Sequence, residues 1–333
     1  MQGGDASAVL VPALGGKVRD MFLGGRQWLW HNPDVPFALP REGAAYLEAE
    51  SAGGFDECFP TVGSCRLPRS VAGARWVKLP DHGELWAQHP EIMIMTDQEG
   101  HSATCTWNGA ALPYRFTRRI TVHPEGWVAF AYSATNNGKH RLPFLWSSNP
   151  IFPLTARTRI HLPEGARTRV WTQSGVDFGK AGSEHQWPKL AARGANIGKK
   201  VDLSRPFLAT GGDYSCKLFV ELPRREVTIV IEEGGARLEM HVQGREIPSV
   251  GVSINRRTGA PPARRGFWPF GKKARGGCTV AIEPCLGAPE SLRAALGKWD
   301  DAHWLEPGGT ARWGMTWRGG AAPEGRRQTA EGV

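Results

Sequence analysis

The feature that most restricts the fold is a repeated alternation of apolar and polar residues in short runs, separated by glycine-containing turns. The stretch AVLVPALGGKVRDMFLGGRQWLW (8–30) has this form, with turns at 15–16 and 24–26. A side-chain period of two is typical of β-strands, and glycine readily adopts the backbone conformations of tight turns. The pattern recurs over 115–148 and in CKLFVEL, EVTIVIEE and RLEMHVQG. It predicts a mostly antiparallel β protein with well over a dozen strands.

One segment has helical spacing instead. In APESLRAALGKWDDAHWLEPG (288–308), Leu292, Ala295 and Leu296 share one face and Pro289 precedes the start. The sequence therefore predicts an all-β fold, a large two-sheet sandwich, with one short helix near the C-terminus. Since no repeat or composition change marks a boundary, we expect a single domain over 1–320 and a flexible tail over 321–333.

Composition favours a folded protein with a large core. The chain has 333 residues, of which 41% are hydrophobic and 22% charged, enough for one large all-β domain. It opens with no secretory signal and has no run of about 18 or more apolar residues, so we expect a cytoplasmic location and no membrane partner. The six cysteines should then be reduced, and because none forms a CxxC unit, no zinc site is predicted.

Positive charge is concentrated in two segments. The formal net charge is +9, and much of it lies in RRTGAPPARRGFWPFGKK (256–273) and in the tail from Arg312 onward. No nucleic-acid-reading module accompanies them, so we interpret them as a solvated loop and tail and predict no nucleic-acid partner. For the aromatic group FWPF two interpretations stay open: it packs the loop onto the body, or it forms a lid or partner contact.

Four stretches combine polar, glycine or proline, and aromatic residues in a way that strand packing alone does not require. They are GGFDECFPTVGSCR (53–66), PDHGELWAQHPEI (80–92), FLWSSNPIF (144–152) and TVAIEPCLGAP (279–289). Sugar sites need carboxylates, imidazoles and amides for hydroxyl groups, and indole rings for the apolar face of a pyranose. Together the four stretches favour a carbohydrate site.

The order and spacing of these motifs resemble those of the aldose 1-epimerase (galactose mutarotase-like) superfamily. The similarity runs from VPALGGKVRDMFLGGRQWLW to WLEPGGTARWGMTWR and includes GGFDECFPT, DHGELW and the AIEP strand. The resemblance implies a β-supersandwich of large, twisted antiparallel sheets whose concave face holds the sugar. It also implies an isomerase of carbohydrate metabolism, a mutarotase, that acts on a small-molecule carbohydrate and needs no cofactor.

In that family a carboxylate takes the proton of the anomeric hydroxyl while a histidine protonates the ring oxygen. By resemblance Glu283 matches the base, and Pro284 is expected to end the ladder so that the carboxylate faces substrate. His82 matches a substrate-binding histidine and is a candidate catalytic acid, and His89 is a further candidate ligand. A salt-bridged acid for Glu283 and a structural role for His82 stay open as alternatives.

Other residues of the motifs are candidate sugar contacts. Arg66 corresponds to an arginine that contacts sugar hydroxyls in the family. Asp56 and Glu57 either accept hydrogen bonds from hydroxyls or fix the preceding glycine loop. Trp86 and Trp146 either lie against the sugar or pack in the core.

One position departs from the family pattern. Where the family has its proton-donating histidine, SSNPIF has Asn149, which can hydrogen-bond to a ring oxygen but cannot protonate it near neutral pH. Three functions stay open: an epimerase with His82, His89 or water as the acid, a non-catalytic carbohydrate-binding or regulatory module, or a different sugar isomerase or lyase. The basic segment 256–273 would suit an anionic substrate, phosphorylated or carboxylated.

Overall fold

The computed structural model describes residues 1–38, 46, 52–68, 76–193, 198–258 and 277–322. Strands dominate these residues, as the alternation predicts. They are β1 (Gln2–Gly3), β2 (Ala6–Val11), β3 (Lys17–Leu23), β4 (Arg26–Gln27), β5 (Phe55–Cys58), β6 (Cys65–Leu67), β7 (Val77–Leu79), β8 (Glu91–Asp97), β9 (Gly100–Asn108), β10 (Tyr114–Val122), β11 (Trp127–Asn136), β12 (Leu142–Phe144), β13 (Trp146–Pro153), β14 (Arg159–His161), β15 (Arg167–Ser174), β16 (Glu184–Gln186), β17 (Lys189–Ala191), β18 (Lys200–Asp202), β19 (Tyr214–Glu221), β20 (Glu226–Glu233), β21 (Ala236–Gln243), β22 (Ser249–Arg256), β23 (Thr279–Leu286), β24 (His303–Leu305) and β25 (Thr310–Ala321).

The predicted C-terminal helix is present but short. It is α1 (Leu292–Ala295), with Leu292 and Ala295 buried. Gly297 follows the last turn, and Asp300 adopts a positive φ of 47°, so the chain leaves the helical path well before the end of the predicted segment. The described residues also include short 3₁₀ turns at Pro12–Leu14, Leu85–Ala87 and Pro206–Leu208.

Two large antiparallel sheets form the body of the described structure. The larger has 11 strands, in the order β1-β2-β3-β5-β13-β23-β22-β19-β15-β16 with β4 beside β3. The smaller has eight, in the order β14-β20-β21-β25-β11-β10-β9-β8. The described residues also form two-stranded pairs β12-β24, β17-β18 and β6-β7, and isolated bridges at His31–Gly53, Phe59–Gly83 and Gly63–Ser291. The all-β, two-sheet prediction is therefore confirmed.

The core lies between the two large sheets and is rich in aromatic rings. Phe55 of the larger sheet stacks on Trp317 of the smaller one, with ring centroids 5.5 Å apart, and Trp146 meets Trp313 at 5.2 Å. Trp28, Trp107, Trp146 and Trp317 are fully enclosed. Burial of such large apolar side chains contributes about 1.5–3 kcal/mol each, which explains why so tryptophan-rich a sequence folds as a sandwich with two apolar inner faces.

Strand alternation gives the larger sheet a second face, turned away from the core. Val250, Val252 and Ile254 of β22 belong to the core cluster, whereas Gly251 between them lies beside polar side chains of the neighbouring strands. We call this second face the outer face of the larger sheet. It carries the polar groups that are described below.

Several sequence predictions fall on other parts of the chain. Most of segment 256–273, including FWPF, and most of the tail 321–333 lie outside the described residues, although Ala321 is the last residue of β25. The single-domain assignment stays a prediction. No helix within the described ranges is long and apolar enough to cross a membrane.

Candidate functional site on the outer face

Two prolines in neighbouring central strands flank the position where Asn149 and Glu283 face each other, one on each side of the pair. Pairing of β13 with β23 is recorded at Ser147–Cys285 and resumes at Ile151–Ala281, so the register places Asn149 opposite Glu283. Pro150 and Pro284 lack the backbone N–H groups that would flank this pair. The ladder between the two strands is therefore interrupted beneath the two side chains.

The prediction that Pro284 ends the strand is wrong. β23 continues to Leu286, and Pro284 itself pairs with Val250 of β22. Its carbonyl accepts a hydrogen bond from the hydroxyl of Ser148 at 3.2 Å. Glu283 thus lies within a continuous strand, and alternation rather than a strand end directs its side chain to the outer face.

Glu283 forms a buried ion pair with a lysine that the sequence analysis did not single out. Lys217 Nζ lies 2.5 Å from Glu283 Oε2, and the Ser147 hydroxyl donates to the same oxygen at 3.1 Å. Lys217 comes from β19, so its side chain crosses β22 to reach β23. It passes over Gly251, where a Cβ atom would lie 3.2 Å from Lys217 Nζ and 3.3 Å from Glu283 Oε2. The glycine leaves the room that this pair occupies.

The electrostatics of Lys217 follow from its two carboxylate neighbours. Its ammonium lies 3.4 Å from Glu290 Oε1 in addition to the contact with Glu283. Burial disfavours the charged form, but the two carboxylates outweigh it and raise the pKa of Lys217 above its ordinary value. Lys217 is therefore an ammonium throughout the neutral pH range.

The outer face becomes more exposed toward Glu290. The Lys217 and Glu283 side chains are 6% and 4% exposed, whereas that of Glu290 is 28% exposed. The Trp171 indole donates to Glu290 Oε2 at 3.1 Å, and Trp171 meets Trp299 edge to face. Among the described residues, Trp171 thus borders the more exposed, Glu290 end of this cluster, and an indole ring beside carboxylates suits the apolar face and hydroxyls of a sugar.

A second polar cluster lies on the other side of Asn149. Asn149 Nδ2 donates to the Tyr46 hydroxyl at 3.1 Å, which donates to Asp56 Oδ2 at 2.9 Å. Asp56 is also paired with Lys17. The His82 ring stacks on Tyr46 with centroids 3.7 Å apart. Asp56, His82 and Asn149 are thus joined through Tyr46 and lie next to Glu283.

The DHGELW motif has a structural role that explains much of its sequence. Its backbone turns sharply at His82, with a φ of 57°, and at Gly83, where a Cβ would lie 2.1 Å from the Phe59 carbonyl oxygen. The Trp86 indole closes the turn by donating to the carbonyls of Asp81 and Gly83, both at 3.1 Å. The turn therefore packs the motif closely against Phe59 at the end of β5 and places the His82 ring over Tyr46.

Two predicted sugar contacts face the core instead. Glu57 and Trp146 lie on the inner side of their strands, and the Trp146 indole donates to Glu57 Oε2 at 2.9 Å. Tyr132 donates to Glu57 Oε1 at 3.0 Å, and Arg118 lies 3.4 Å from the same oxygen. Since adjacent residues of a strand point to opposite faces, Asp56 and Glu57 cannot serve one surface. Both side chains therefore lie in the core, which for Trp146 is the packing alternative that the sequence left open.

Burial strongly raises the pKa of Glu57. Desolvation raises the pKa of Glu57 to about 7, against the opposing effects of the Arg118 charge and the Trp146 and Tyr132 hydrogen bonds. Such a shift often marks a catalytic group. Here the side chain is enclosed between the sheets, so the shift reflects the structure of the core.

Three other predicted residues differ in how close they lie to this cluster. Trp86 is buried and packs its ring edge to face against Tyr46, with centroids 5.2 Å apart. Arg66 is exposed on β6, and His89 is exposed just before the edge strand β8. The described contacts do not connect Arg66 or His89 to Glu283, Asn149 or Tyr46.

Within the described ranges, no group of three or more histidine, cysteine, aspartate or glutamate side chains could hold a metal ion. The outer face offers instead a carboxylate, an ammonium, an amide and a phenol. All four groups can hydrogen-bond to hydroxyls, and all except the amide can also exchange protons with them.

Comparisons with known proteins agree with this architecture. No family model and no curated protein matches the sequence. The Slr1438 protein of Synechocystis sp. PCC 6803 superposes with a TM-score of 0.64 at 14% identity, over 96% of this chain and 93% of that one. A galactose mutarotase related enzyme from Lactobacillus acidophilus gives 0.62 at 15% identity, over 97% of each chain. For a galactose mutarotase-like protein from Clostridium acetobutylicum the TM-score is 0.61 at 12% identity, over 97% and 94%.

The chain has the galactose mutarotase-like fold. The resemblance that the motifs suggested is confirmed at this level. The mutarotase-like fold places the AIEP strand at the centre of the larger sheet, so the motif that carries Glu283 lies in the middle of the outer face.

Sequence reasoning missed Lys217, Tyr46 and Trp171. A signal for Lys217 was present: it is a lysine inside CKLFVEL, at a position where the neighbours on both sides are buried. A buried lysine needs a carboxylate partner, and the AIEP strand supplies one. Tyr46 and Trp171 carried no comparable signal, because their roles depend on which strands become neighbours.

Proposed function

We propose that this protein is an aldose 1-epimerase-like isomerase that interconverts the anomers of a free sugar on the outer face, with Glu283 as the base. The observation that carries the proposal is the free side of the Glu283 carboxylate. Both hydrogen bonds that it accepts from described residues go to Oε2, so Oε1 keeps its lone pairs for a hydroxyl of substrate. Asn149 faces it and Trp171 borders the exposed end, as a bound pyranose would require.

The charge of this face bears on the choice of sugar. Among the described residues, the positive charge of Lys217 is opposed by the carboxylates of Glu283 and Glu290, so these three groups together carry no excess of positive charge. A neutral aldose suits this balance better than a phosphorylated or carboxylated one. Titrations of glucose and glucose 6-phosphate at low and high salt will test this, and tighter binding of the phosphate ester at low salt would contradict it.

Anomer exchange measured by NMR across a panel of neutral aldoses tests the proposal. Wild type should accelerate exchange, and Glu283→Gln should lose most of the acceleration because an amide cannot accept the anomeric proton. Glu226→Gln, at an exposed position on β20, is the matched control. Equal rates for wild type and Glu283→Gln would eliminate Glu283 as the base.

A second candidate function rests on Asn149. An amide at the place of the family's acid favours a carbohydrate-binding module that has lost its chemistry. Calorimetry separates the two candidates: sugar binding by wild type without any acceleration of exchange supports the module, and rapid exchange eliminates it.

A further inference from the structure

The outer face contains a proton donor that the family resemblance does not predict. Among the described residues, the cation in contact with Glu283 is Lys217, whose ammonium has three N–H groups. One faces Glu283 Oε2 and one faces Glu290 Oε1, and the described residues provide no hydrogen-bond partner for the third. The donor and the free Oε1 of Glu283 therefore lie within one carboxylate width of each other.

His82 is less well placed for the same task. Its ring lies against Tyr46, and Tyr46 rather than His82 contacts Asn149 and Asp56. His82 Nδ1 lies 3.1 Å from Asp81 Oδ2, on its own turn. The tyrosine ring thus stands between the imidazole and the side chains next to Glu283.

We propose that Lys217 is the general acid of this protein and takes the role that Asn149 cannot perform. This proposal rests on the proposed epimerase function and names the group that completes it. Both oxygens that exchange protons in ring opening are bonded to the same carbon of the sugar, so an acid and a base that touch each other can serve both.

The proton balance closes with these two groups. Glu283 accepts the proton of the anomeric hydroxyl, the bond between C1 and the ring oxygen breaks with its electron pair on the ring oxygen, and that oxygen takes a proton from Lys217. The products are an open-chain aldehyde, a protonated Glu283 and a neutral Lys217 amine. After rotation about C1–C2, the hydroxyl attacks the other face of the carbonyl, and both protons return.

A strongly basic lysine is still a competent acid here. The ring oxygen becomes an alkoxide as its bond to C1 breaks, and an alkoxide is far more basic than an amine, so the transfer is downhill at the moment it occurs. Two carboxylates, those of Glu283 and Glu290, hold the ammonium in place before that moment, and Gly251 leaves the space that it occupies.

Lys217→Arg tests the proposal directly, because a guanidinium keeps the charge beside Glu283 but does not give up a proton. We expect kcat for anomer exchange to fall by about 10²–10⁴-fold, with sugar affinity retained in calorimetry. Lys200→Arg, at an exposed position on β18, is the matched control. Wild-type kcat in Lys217→Arg would overturn the assignment.

Chemical rescue separates proton donation from charge alone. In Lys217→Ala, added ethylammonium should restore part of the rate, whereas tetramethylammonium, which has the same charge and no N–H, should not. Equal rescue by both cations would show that Lys217 only neutralises Glu283 and would overturn its role as the acid.

The pH profile gives an independent measurement. The titratable groups that face Lys217 are Glu283 and Cys285 on β23, Glu290 after that strand, and Cys58 on β5. With Lys217 as donor, kcat corrected for the uncatalysed rate should stay level from about pH 7 to 9, because the ammonium does not titrate there. A histidine donor would lose about tenfold per pH unit above about 6.5, and such a decline would overturn the proposal.

Failure of this proposal is distinguishable from failure of the proposed function. If wild type exchanges no aldose, the epimerase and its acid are both wrong. If wild type exchanges and Glu283→Gln does not, while Lys217→Arg keeps its kcat, only the assignment of Lys217 is wrong.

Discussion

Two glutamates of the larger sheet are each buried against a cation, but they lie on opposite faces. Glu57 faces the smaller sheet and receives hydrogen bonds at both carboxylate oxygens, from Arg118, Tyr132 and Trp146. Glu283 faces away from it and receives its hydrogen bonds from Lys217 and Ser147 at one oxygen. A carboxylate with both oxygens occupied stabilises a fold, whereas one with a free oxygen can also accept a proton from a ligand.

The comparison also shows that a raised pKa alone does not identify a catalytic carboxyl group. The enclosed Glu57 has a pKa raised to about 7 by desolvation, close to what a catalytic acid or base needs. Its position between the sheets offers a ligand no access. Geometry therefore supports the role proposed for Glu283 and indicates a structural role for Glu57.

The largest expected effect separates the two glutamates by activity. Glu283→Gln should lower the rate of anomer exchange by about 10²–10⁴-fold, because it removes the free carboxylate oxygen. Glu57→Gln should lower it far less once measured on protein that is shown to be folded by circular dichroism. A comparable loss in both variants would mean that the two faces are not functionally distinct.

The next effect concerns stability. At about pH 8, where Glu57 is ionised, Arg118→Met removes the cation beside it and should lower the free energy of unfolding by about 3–5 kcal/mol, the typical cost of breaking a buried ion pair. Arg115→Met, at an exposed position of the same strand, should change it by less than about 0.5 kcal/mol. Urea denaturation of wild type, Arg118→Met and Arg115→Met measures these free energies. Equal midpoints for wild type and Arg118→Met would show that Arg118 does not stabilise the core.

Ionisation of Glu57 should make the free energy of unfolding depend on pH. Its pKa is raised from 4.5 to about 7 in the folded chain, so between these values the folded state binds more protons than the unfolded state. The free energy of unfolding therefore falls as pH rises through this window, by about 3 kcal/mol from this group. The amide in Glu57→Gln does not titrate. The difference in the free energy of unfolding between wild type and this variant should therefore change by that amount from pH 4.5 to 7. A difference that is constant with pH would contradict the shift.

The smallest expected effects come from removing one hydroxyl donor from each glutamate. Ser147→Ala removes a donor to Glu283 and should slow anomer exchange by roughly tenfold, equivalent to about 1.4 kcal/mol. Tyr132→Phe removes a donor to Glu57 and should lower the free energy of unfolding by about 1–3 kcal/mol, with the exchange rate unchanged. If Tyr132→Phe slowed exchange and Ser147→Ala did not, the roles of the two faces would be reversed.

Much of the fold could be predicted from the sequence because strand and turn signals are local. The opening run was expected to form strand, turn, strand, turn, strand; β2 and β3 form as expected, whereas the third strand is only the two-residue β4, which begins at Arg26 in the predicted turn. The turn at 123–126 joins β10 and β11, with the Gly126 amide bonded to the His123 carbonyl. Turns of this kind are specified by a few consecutive residues.

The site could be predicted only in part, because it depends on contacts between distant strands. Asp56, His82, Asn149 and Glu283 were named from motifs and lie together. Strand alternation separates Asp56 from Glu57, but the motif could not show which of the two side chains faces the core. Lys217 required knowing that β22 separates β19 from β23 and that Gly251 leaves space between them.

The two prolines that flank the Asn149–Glu283 pair, Pro150 and Pro284, affect how firmly the two strands are joined. Most of a sheet resists separation of its strands because each small displacement stretches backbone hydrogen bonds. Between Ser147–Cys285 and Ile151–Ala281 the prolines remove two of the donors, and the Ser148 hydroxyl ties the strands through the Pro284 carbonyl instead. The two strands are therefore joined by fewer backbone hydrogen bonds under the carboxylate and the amide than on either side, so a small change in strand spacing there would alter the gap between these two groups.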